Sequence, residues 1–79
     1  MSRLYVSNLS FSTSEDSLRD AFSLFGHTDE VKLVMDGETG RSRGFAFISM
    51  PDAESARHAI ALVNGAMLDG RALRVSQAK

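Results

Sequence analysis

An α+β domain with the element order β-α-β-β-α-β is predicted by three features of the sequence. Two segments carry apolar residues at the i, i+3, i+4 spacing of an amphipathic helix. Four other segments alternate apolar and polar residues, as half-buried strands do. The chain has 79 residues, the size of one small domain, and residues 1–79 are therefore interpreted as a single domain.

The four strands are recognised by their alternation and by the loops between them. The third strand is aromatic-rich and contains Phe45 and Phe47. A polar loop with two glycines, residues 36–43, precedes it, and residues 68–71 are predicted as the turn before the last strand. The strands are assigned to residues 4–7, 31–34, 45–50 and 73–76.

The two helices are predicted from their apolar stripes and their end signals. Thr13 is expected to be the N-cap of the first helix, with Asp16 three residues later, and Gly26 is expected to end it. The second helix is expected to open after Pro51-Asp52 and to stop at Asn64-Gly65. The stripes consist of Leu18, Ala21, Phe22 and Phe25 in the first helix and of Ala56, Ala59, Ile60 and Val63 in the second.

This element order is that of the ferredoxin-like, or split βαβ, arrangement. Two helices then cover one face of a four-stranded antiparallel sheet, and the other face stays open. Alternation directs Tyr5, Phe45 and Phe47 onto that open face, on strands that are central neighbours. The alternative, an inverted register, would expose Leu4 and Ile48 instead. An exposed aromatic cluster is typical of a binding surface, and flat rings suit nucleobases.

Two segments resemble the ribonucleoprotein motifs of the RNA recognition motif family. Arg43–Met50 (RGFAFISM) matches the family's octapeptide and Leu4–Leu9 (LYVSNL) its hexapeptide. Both lie on the predicted central strands, and the resemblance covers residues 2–79. Met50 departs from the pattern, which usually has Phe or Tyr there. Because that position faces the predicted core, the departure leaves the open surface intact.

The resemblance implies a role for the residues of these motifs. Tyr5 and Phe47 would each stack a base, and Phe45 would pack on the sugars between two nucleotides. Arg43 would pair with a phosphate, for which its guanidinium offers a bidentate fork. Gly44 is expected because a side chain at that position would press into the helix layer.

Five further residues are candidates for RNA contact. Lys32 and Arg74 project from the open face by the same alternation. Arg41, in the loop before the octapeptide, and Arg3, beside the first strand, are candidates for phosphate contacts. Gln77 follows the predicted last strand, in a segment that often contacts bases in proteins of this family, and is the candidate for base-edge recognition.

The charge pattern favours a selective rather than an indiscriminate nucleic-acid binder. The net charge is −1, with nine Lys and Arg against ten Asp and Glu. Most of the basic residues are nevertheless predicted on or around the open sheet, while half of the acids belong to the helices. These basic residues are Arg3, Lys32, Arg41, Arg43, Arg71, Arg74 and Lys79.

Several classes of function are excluded by composition. The chain has no cysteine, which excludes disulfides, zinc knuckles and thiol catalysis. His27 and His58 are too far apart for a metal-ligand motif, so no metal or cofactor is expected. Residues 8–13 contain neither glycine nor a basic residue, unlike the phosphate-cradling loop of an acylphosphatase-type enzyme, and no enzymatic activity is expected. With no membrane span or signal peptide, the protein is expected in the cytoplasm, or in the nucleus of a eukaryote, and not secreted.

The sequence therefore predicts a monomeric module that binds short single-stranded RNA. RNA processing, stability or translation control are the expected settings, and single-stranded DNA is an expected substitute ligand in vitro. The alternative is a protein-interaction variant of the same fold that binds a peptide. Such variants commonly lack one or more of the three aromatic residues, which this chain retains.

Overall fold

The computed structural model describes residues 2–24 and 26–78, and it contains two helices and six strands in those residues. The helices are α1 (Glu15–Ser23) and α2 (Ala53–Val63). The strands are β1 (Ser2–Ser7), β2 (Glu30–Met35), β3 (Ser42–Met50), β4 (Met67–Leu68), β5 (Arg71–Ala72) and β6 (Arg74–Gln77). Among the described residues, neither helix has the length and apolar character needed to cross a membrane.

Four of the strands form one antiparallel sheet in the order β2-β3-β1-β6. The central pair is β1 and β3, as the predicted arrangement requires, with Tyr5 opposite Phe47 and Leu4 opposite Ile48. The predicted α+β fold, two helices on one face of a four-stranded antiparallel sheet, is confirmed.

The hydrophobic core lies between this sheet and the two helices. Leu4 and Ile48 are fully buried in it, which excludes the inverted register. Burying one such side chain stabilises the fold by roughly 1.5–3 kcal/mol, so the register is strongly specified. The buried apolar residues come from β1, β2, β3, β6, both helices and two loop positions; they are Leu4, Val6, Leu9, Leu18, Phe22, Val31, Ala46, Ile48, Met50, Ala56, Ala59, Val63, Leu73 and Val75.

The start of α1 differs from the prediction by one residue. Ser14, not Thr13, is the N-cap, and its side-chain oxygen accepts a hydrogen bond from the Ser17 backbone N–H at 3.1 Å. The Thr13 hydroxyl instead donates to Asp69 Oδ2 at 2.7 Å. Because the Thr13 hydroxyl is bonded to Asp69, it does not accept a hydrogen bond from the first turn of α1. The prediction of Thr13 as the cap was therefore wrong.

The end of α1 also differs. The helix ends at Ser23 and its C-cap is Leu24, before the glycine predicted to stop it. Gly26 follows with φ +151°. The predicted apolar stripe runs through Leu18 and Phe22, which are fully buried, whereas its fourth member, Phe25, lies outside the described residues.

Both ends of α2 agree with the prediction. Asp52 is the N-cap, and its carboxylate accepts hydrogen bonds from the Ser55 N–H at 2.7 Å and the Ser55 hydroxyl at 3.2 Å. These bonds, the backbone one first, lower the pKa of Asp52 because they favour the charged carboxylate. Asn64 is the C-cap, and its Oδ1 accepts the Val75 N–H at 3.0 Å, which ties the helix end to β6.

The segment predicted as a simple turn before the last strand is a small hairpin. Its two-residue strands β4 and β5 pair antiparallel, Met67 opposite Ala72 and Leu68 opposite Arg71. The turn residues Asp69 and Gly70 both have positive φ, 52° and 83°. This is the backbone that two-residue hairpin turns favour, and Asp-Gly is a favoured sequence for it.

Candidate nucleic-acid interface

Three aromatic rings lie together at the centre of the open face of the sheet. The Tyr5 ring centroid is 5.7 Å from that of Phe45 and 5.6 Å from that of Phe47, and the two Phe centroids are 6.3 Å apart. All three residues are half-buried. They pack against one another and keep ring surface accessible, since α1 and α2, the two helices of the described residues, both lie on the other face of the sheet. The structure thus brings together the three rings as the alternation predicts. Tyr5, Phe45 and Phe47 are called the ring cluster below.

Two basic residues flank the Phe47 side of the ring cluster. The Arg3 guanidinium carbon lies 4.8 Å from the centroid of the Phe47 ring, within the range of a cation–π contact. Lys32 is opposite Phe47 in the β2–β3 pairing, so both side chains leave the same face of the sheet. Arg3 and Lys32 are exposed, and their positive charges are available at the edge of the rings.

Two further arginines lie toward the other end of the sheet. Arg74 is opposite Ser7, at the end of β1, and is exposed. A groove beside it is lined by Tyr5, Ser7, Asn64, Arg74, Val75 and Ser76. Arg43 is exposed near the start of β3, which lies at the same end because β1 and β3 are antiparallel.

The loop between β2 and β3 is organised around Asp36. Its carboxylate accepts hydrogen bonds from the N–H groups of Glu38 at 2.8 Å and Thr39 at 3.2 Å. These bonds lower the pKa of Asp36, and the Arg43 charge lowers it further by a smaller amount. The Asp36 N–H also donates to the Arg41 carbonyl at 2.7 Å. Arg41 is thereby held at the base of the loop with its side chain exposed.

Gly44 is required for a different reason from the one expected. A methyl group added there would lie 3.6 Å from the Leu9 carbonyl oxygen and 3.8 Å from Phe11 Cε1, which are ordinary contacts, so crowding against the helices does not select glycine. Glycine is selected instead by the backbone φ of +86° at this position, because residues with a side chain disfavour that conformation. The β2–β3 register also shifts here: Leu33 is opposite Ala46, but Met35 is opposite Ser42.

Gln77 is separated from the ring cluster. It lies within β6, not after the last strand as predicted, and is opposite the buried Leu4. Residues opposite one another share a face, so the register places Gln77 on the helix-facing side at the sheet edge. Lys79 lies outside the described residues.

A family model described as the RNA recognition motif matches residues 4–74. The chain belongs to the RNA recognition motif family. It is 46% identical over 77 residues to "Small RNA binding protein 1" of Cucumis sativus, an alignment that covers 98% of this chain and 48% of that protein. The chain thus spans about half the length of this relative.

Solved structures agree with the assignment. The domain superposes with a TM-score of 0.93 on the second RNA recognition motif domain of the yeast poly(U)-binding protein Pub1, at 32% identity, covering 100% of this chain and 95% of that one. It superposes with a TM-score of 0.86 on the Rna15 RNA recognition motif with bound RNA (GU), also at 32% identity, covering 96% and 81%.

A further arrangement in the RNA recognition motif domain, which the sequence did not predict, joins the loop after β1 to the β4–β5 hairpin. Asn8 has φ +62°, and its Nδ2 donates to the Ala72 carbonyl at 2.7 Å. The Arg71 guanidinium donates to Asn8 Oδ1 at 2.6 Å and to the Asn8 carbonyl at 3.3 Å. Arg71, which was expected among the basic residues around the open sheet, is therefore committed to joining the β1–α1 loop to the β4–β5 hairpin. No local pattern could have shown a contact across 63 positions.

Proposed function

We propose that this domain binds short single-stranded RNA across the open face of its sheet. The observation that supports this best is the ring cluster: three accessible aromatic rings in mutual contact at the centre of an uncovered sheet. Removing aromatic rings from water is favourable, and the uncovered rings of the free protein lack part of this stabilisation. A ligand that covers the ring cluster gains that free energy when it binds. The name of the Cucumis sativus relative, an RNA-binding protein, and the Rna15 structure with bound RNA support the same ligand.

Stacking is proposed to supply most of the affinity. Tyr5 and Phe47 each offer a face to a base, and Phe45 packs on the sugars between the two nucleotides. Every base has a π-face, so this contribution depends little on sequence. Hydrogen bonds from loops and strand edges would then provide base preference.

Charge is proposed to position the backbone. Arg43 forms a bidentate pair with a phosphate, and Lys32 and Arg74 neutralise others on either side of the rings. Arg3 and Arg41 line the two ends of the path. Arg3 has a second role, because a base that stacks on Phe47 must displace its guanidinium or pack beneath it.

The cellular setting is proposed from the module's chemistry. A domain that contacts only a few nucleotides suits control of RNA processing, stability or translation, and single-stranded DNA would bind in vitro through the same rings. A peptide-binding variant of the fold is not favoured, because all three rings are present and accessible.

The proposal is tested by removing the rings. Phe45→Ala and Phe47→Ala should each weaken binding of a labelled single-stranded RNA, selected from a random pool, by about 1–3 kcal/mol, because each loses a stacked base or sugar. Fluorescence anisotropy measures the affinity, and thermal unfolding checks that each variant is folded.

Leu62→Ala is the matched control, since it removes an exposed apolar side chain from α2 on the opposite side of the sheet. It should bind as the unaltered protein does. If the folded Phe45→Ala/Phe47→Ala double variant kept full affinity, stacking on the open face would be disproved.

A further inference from the structure

We infer that Arg71, the first residue of β5, is a positioning residue for RNA binding. It acts through Asn8 to hold the end of the open face that carries Arg43 and Phe45, and it does not itself contact the RNA. The inference rests on the proposed function, because the ligand is the same single-stranded RNA. Arg71 then has a different task from the phosphate contacts proposed for Arg43 and Arg74.

One edge of the Arg71 guanidinium is bound to a single residue of the loop after β1. Its Nη2 donates to Asn8 Oδ1 at 2.6 Å and its Nε to the Asn8 carbonyl at 3.3 Å. The Asn8 Nδ2 in turn donates to the Ala72 carbonyl at 2.7 Å. Two donors on one rigid plane fix the orientation of the residue that accepts from them, which the single ammonium group of a lysine does not do. The hairpin therefore determines how Asn8 is oriented.

The backbone of Asn8 needs this support. Its φ is +62°, in the left-handed region that residues with a side chain disfavour, although asparagine tolerates it better than most. The next residue, Leu9, donates its N–H to the Gly44 carbonyl at 3.0 Å. Gly44 also has a positive φ, so an uncommon backbone conformation lies on each side of this hydrogen bond. The bonds from the hairpin to Asn8 thus fix the point at which the loop after β1 meets β3.

Gly44 connects this point to the RNA-binding residues, because it lies between Arg43 and Phe45 in β3. If Asn8 relaxes to a negative φ, the Leu9 N–H turns away from the Gly44 carbonyl. The segment from Arg43 to Phe45 then loses the hydrogen bond that locates it against the loop. A phosphate-binding guanidinium and a sugar-packing ring that are not held in place have to be ordered when RNA binds, and this lowers the affinity.

The exposure of Arg71 separates this role from general stability. Arg71 is exposed, and hydrogen bonds between exposed groups add little to the free energy of unfolding because water competes for them. Leu73, two residues later, is buried in the core and is not changed when Arg71 is replaced. The Thr13 hydroxyl still donates to Asp69 and keeps the hairpin beside the loop. Variants of Arg71 are therefore expected to fold.

The first test compares Arg71→Gln with Arg71→Lys, which keeps the charge but not the planar fork. Fluorescence anisotropy measures binding of the labelled single-stranded RNA over a range of salt concentrations. Both variants should lose about 3- to 10-fold in affinity, the effect of leaving one side chain to be ordered on binding. Neither should change the salt slope, whereas Arg43→Gln reduces its magnitude by about 0.7. Arg57→Gln, on the exposed side of α2, is the control and should bind as the unaltered protein does.

A direct phosphate contact by Arg71 would give the opposite pattern. Lysine also binds phosphate, so Arg71→Lys would then retain the affinity, and Arg71→Gln would reduce the magnitude of the slope. Either result would overturn the positioning role.

A double-variant cycle distinguishes positioning from a general loss of structure. Arg71→Gln combined with Arg43→Gln should lose less than the product of the two separate losses, because a displaced Arg43 has less binding to lose. Arg71→Gln combined with Lys32→Gln should lose the full product, since Lys32 is opposite Phe47 on β2, away from Gly44. If both pairs lose the full product, Arg71 does not act through this end of the face. Thermal unfolding checks that each variant is folded at the temperature of the binding measurement.

The outcomes separate the two proposals. If Phe45→Ala weakens binding but both Arg71 variants bind as the unaltered protein does, the positioning role is disproved and the proposed function stands. If the folded Phe45→Ala/Phe47→Ala double variant binds with full affinity, the proposed function itself fails, and the positioning role fails with it.

Discussion

Gly44 lies between a phosphate-binding candidate, Arg43, and a member of the ring cluster, Phe45. It belongs to the stretch of β3, between Ser42 and Ala46, in which the pairing with β2 is irregular. Regular pairing from Leu33 opposite Ala46 would place Met35 opposite Gly44, but Met35 is opposite Ser42. The positive φ of Gly44 accommodates this irregularity. The backbone conformation at Gly44 thus helps to set the directions in which the Arg43 and Phe45 side chains leave β3.

Replacing Gly44 should reveal this backbone requirement. Gly44→Ala should lower the free energy of unfolding by about 1–2 kcal/mol, because an L-residue is strained at positive φ, although there is room for the methyl group. Gly44→Asn should lose less, since asparagine tolerates this region better. Urea denaturation measures both.

Gly37→Ala is the control for that series. Gly37 has no positive φ and open space around it, so its replacement should change stability by less than about 0.5 kcal/mol. If Gly44→Ala and Gly37→Ala had the same free energy of unfolding, the positive φ of Gly44 would not be the cause of the predicted destabilisation.

At the scale of elements, the helices are connected to the sheet through side-chain to backbone hydrogen bonds at their ends as well as through the core. Glu15, in the first turn of α1, accepts the Leu33 N–H of β2 at 3.0 Å. Asn64, at the end of α2, accepts the Val75 N–H of β6. Each helix thus satisfies one backbone donor on a strand at the edge of the sheet, which limits unwanted strand pairing there.

The N-cap of α2 should make stability depend on pH. Its hydrogen bonds hold the pKa of Asp52 below the ordinary value of 3.8, so the folded state favours the carboxylate. The stabilisation of the fold by the ionised cap is complete at pH values above the pKa that Asp52 has in the unfolded chain. It is lost as the pH falls from there through the lower pKa that Asp52 has in the folded protein. Asp52→Asn keeps a capping oxygen but cannot titrate, so its free energy of unfolding should fall less steeply between about pH 5 and pH 2.

Urea denaturation at a series of pH values measures this effect. Asp20→Asn is the control, because it removes one exposed carboxylate of α1 and changes the net charge equally; its pH profile should follow that of the unaltered protein. Parallel profiles for Asp52→Asn and the unaltered protein would contradict the prediction.

At the scale of the whole molecule, a net charge of −1 conceals an uneven distribution. Most of the exposed basic residues lie on the open face and at its ends, where exposed acids such as Glu30 and Glu38 partly offset them. The helices behind carry the exposed acids Asp16, Asp20 and Glu54 and the exposed bases Arg19 and Arg57. Of the basic residues expected around the sheet, Arg71 keeps its charge, but its hydrogen bonds to Asn8 hold its guanidinium at the loop between β1 and α1. A modest positive face opposite an acidic one favours an oriented encounter with RNA and limits nonspecific binding.

The salt dependence of RNA binding should report this modest charge. With about three phosphate contacts, the logarithm of the association constant should fall with the logarithm of salt concentration with a slope near −2. Arg43→Gln should reduce the magnitude of the slope by about 0.7, because one contact is lost. Arg57→Gln, which removes an exposed charge from α2, should leave it unchanged. Equal slopes for the two variants would contradict a role for Arg43 in phosphate binding.

The ring cluster and the core could be read from the chain because their determinants are local. Whether Phe45 or Ala46 faces the helices follows from a period of two residues and from the free energy of burial, and both are properties of a short segment. The same holds for α2, whose cap Asp52 lies beside the helix that it starts.

Features that depend on distant partners needed the tertiary structure. Thr13 and Ser14 are both suitable caps, and the choice between them is settled by Asp69, 56 positions away, which binds the Thr13 hydroxyl. The bonds between Asn8 and Arg71 likewise arise only when the β4–β5 hairpin folds back onto the loop after β1. Local periodicity determines which side of a strand a residue occupies, whereas hydrogen-bond partners are determined by which segments the fold brings within about 3 Å of one another.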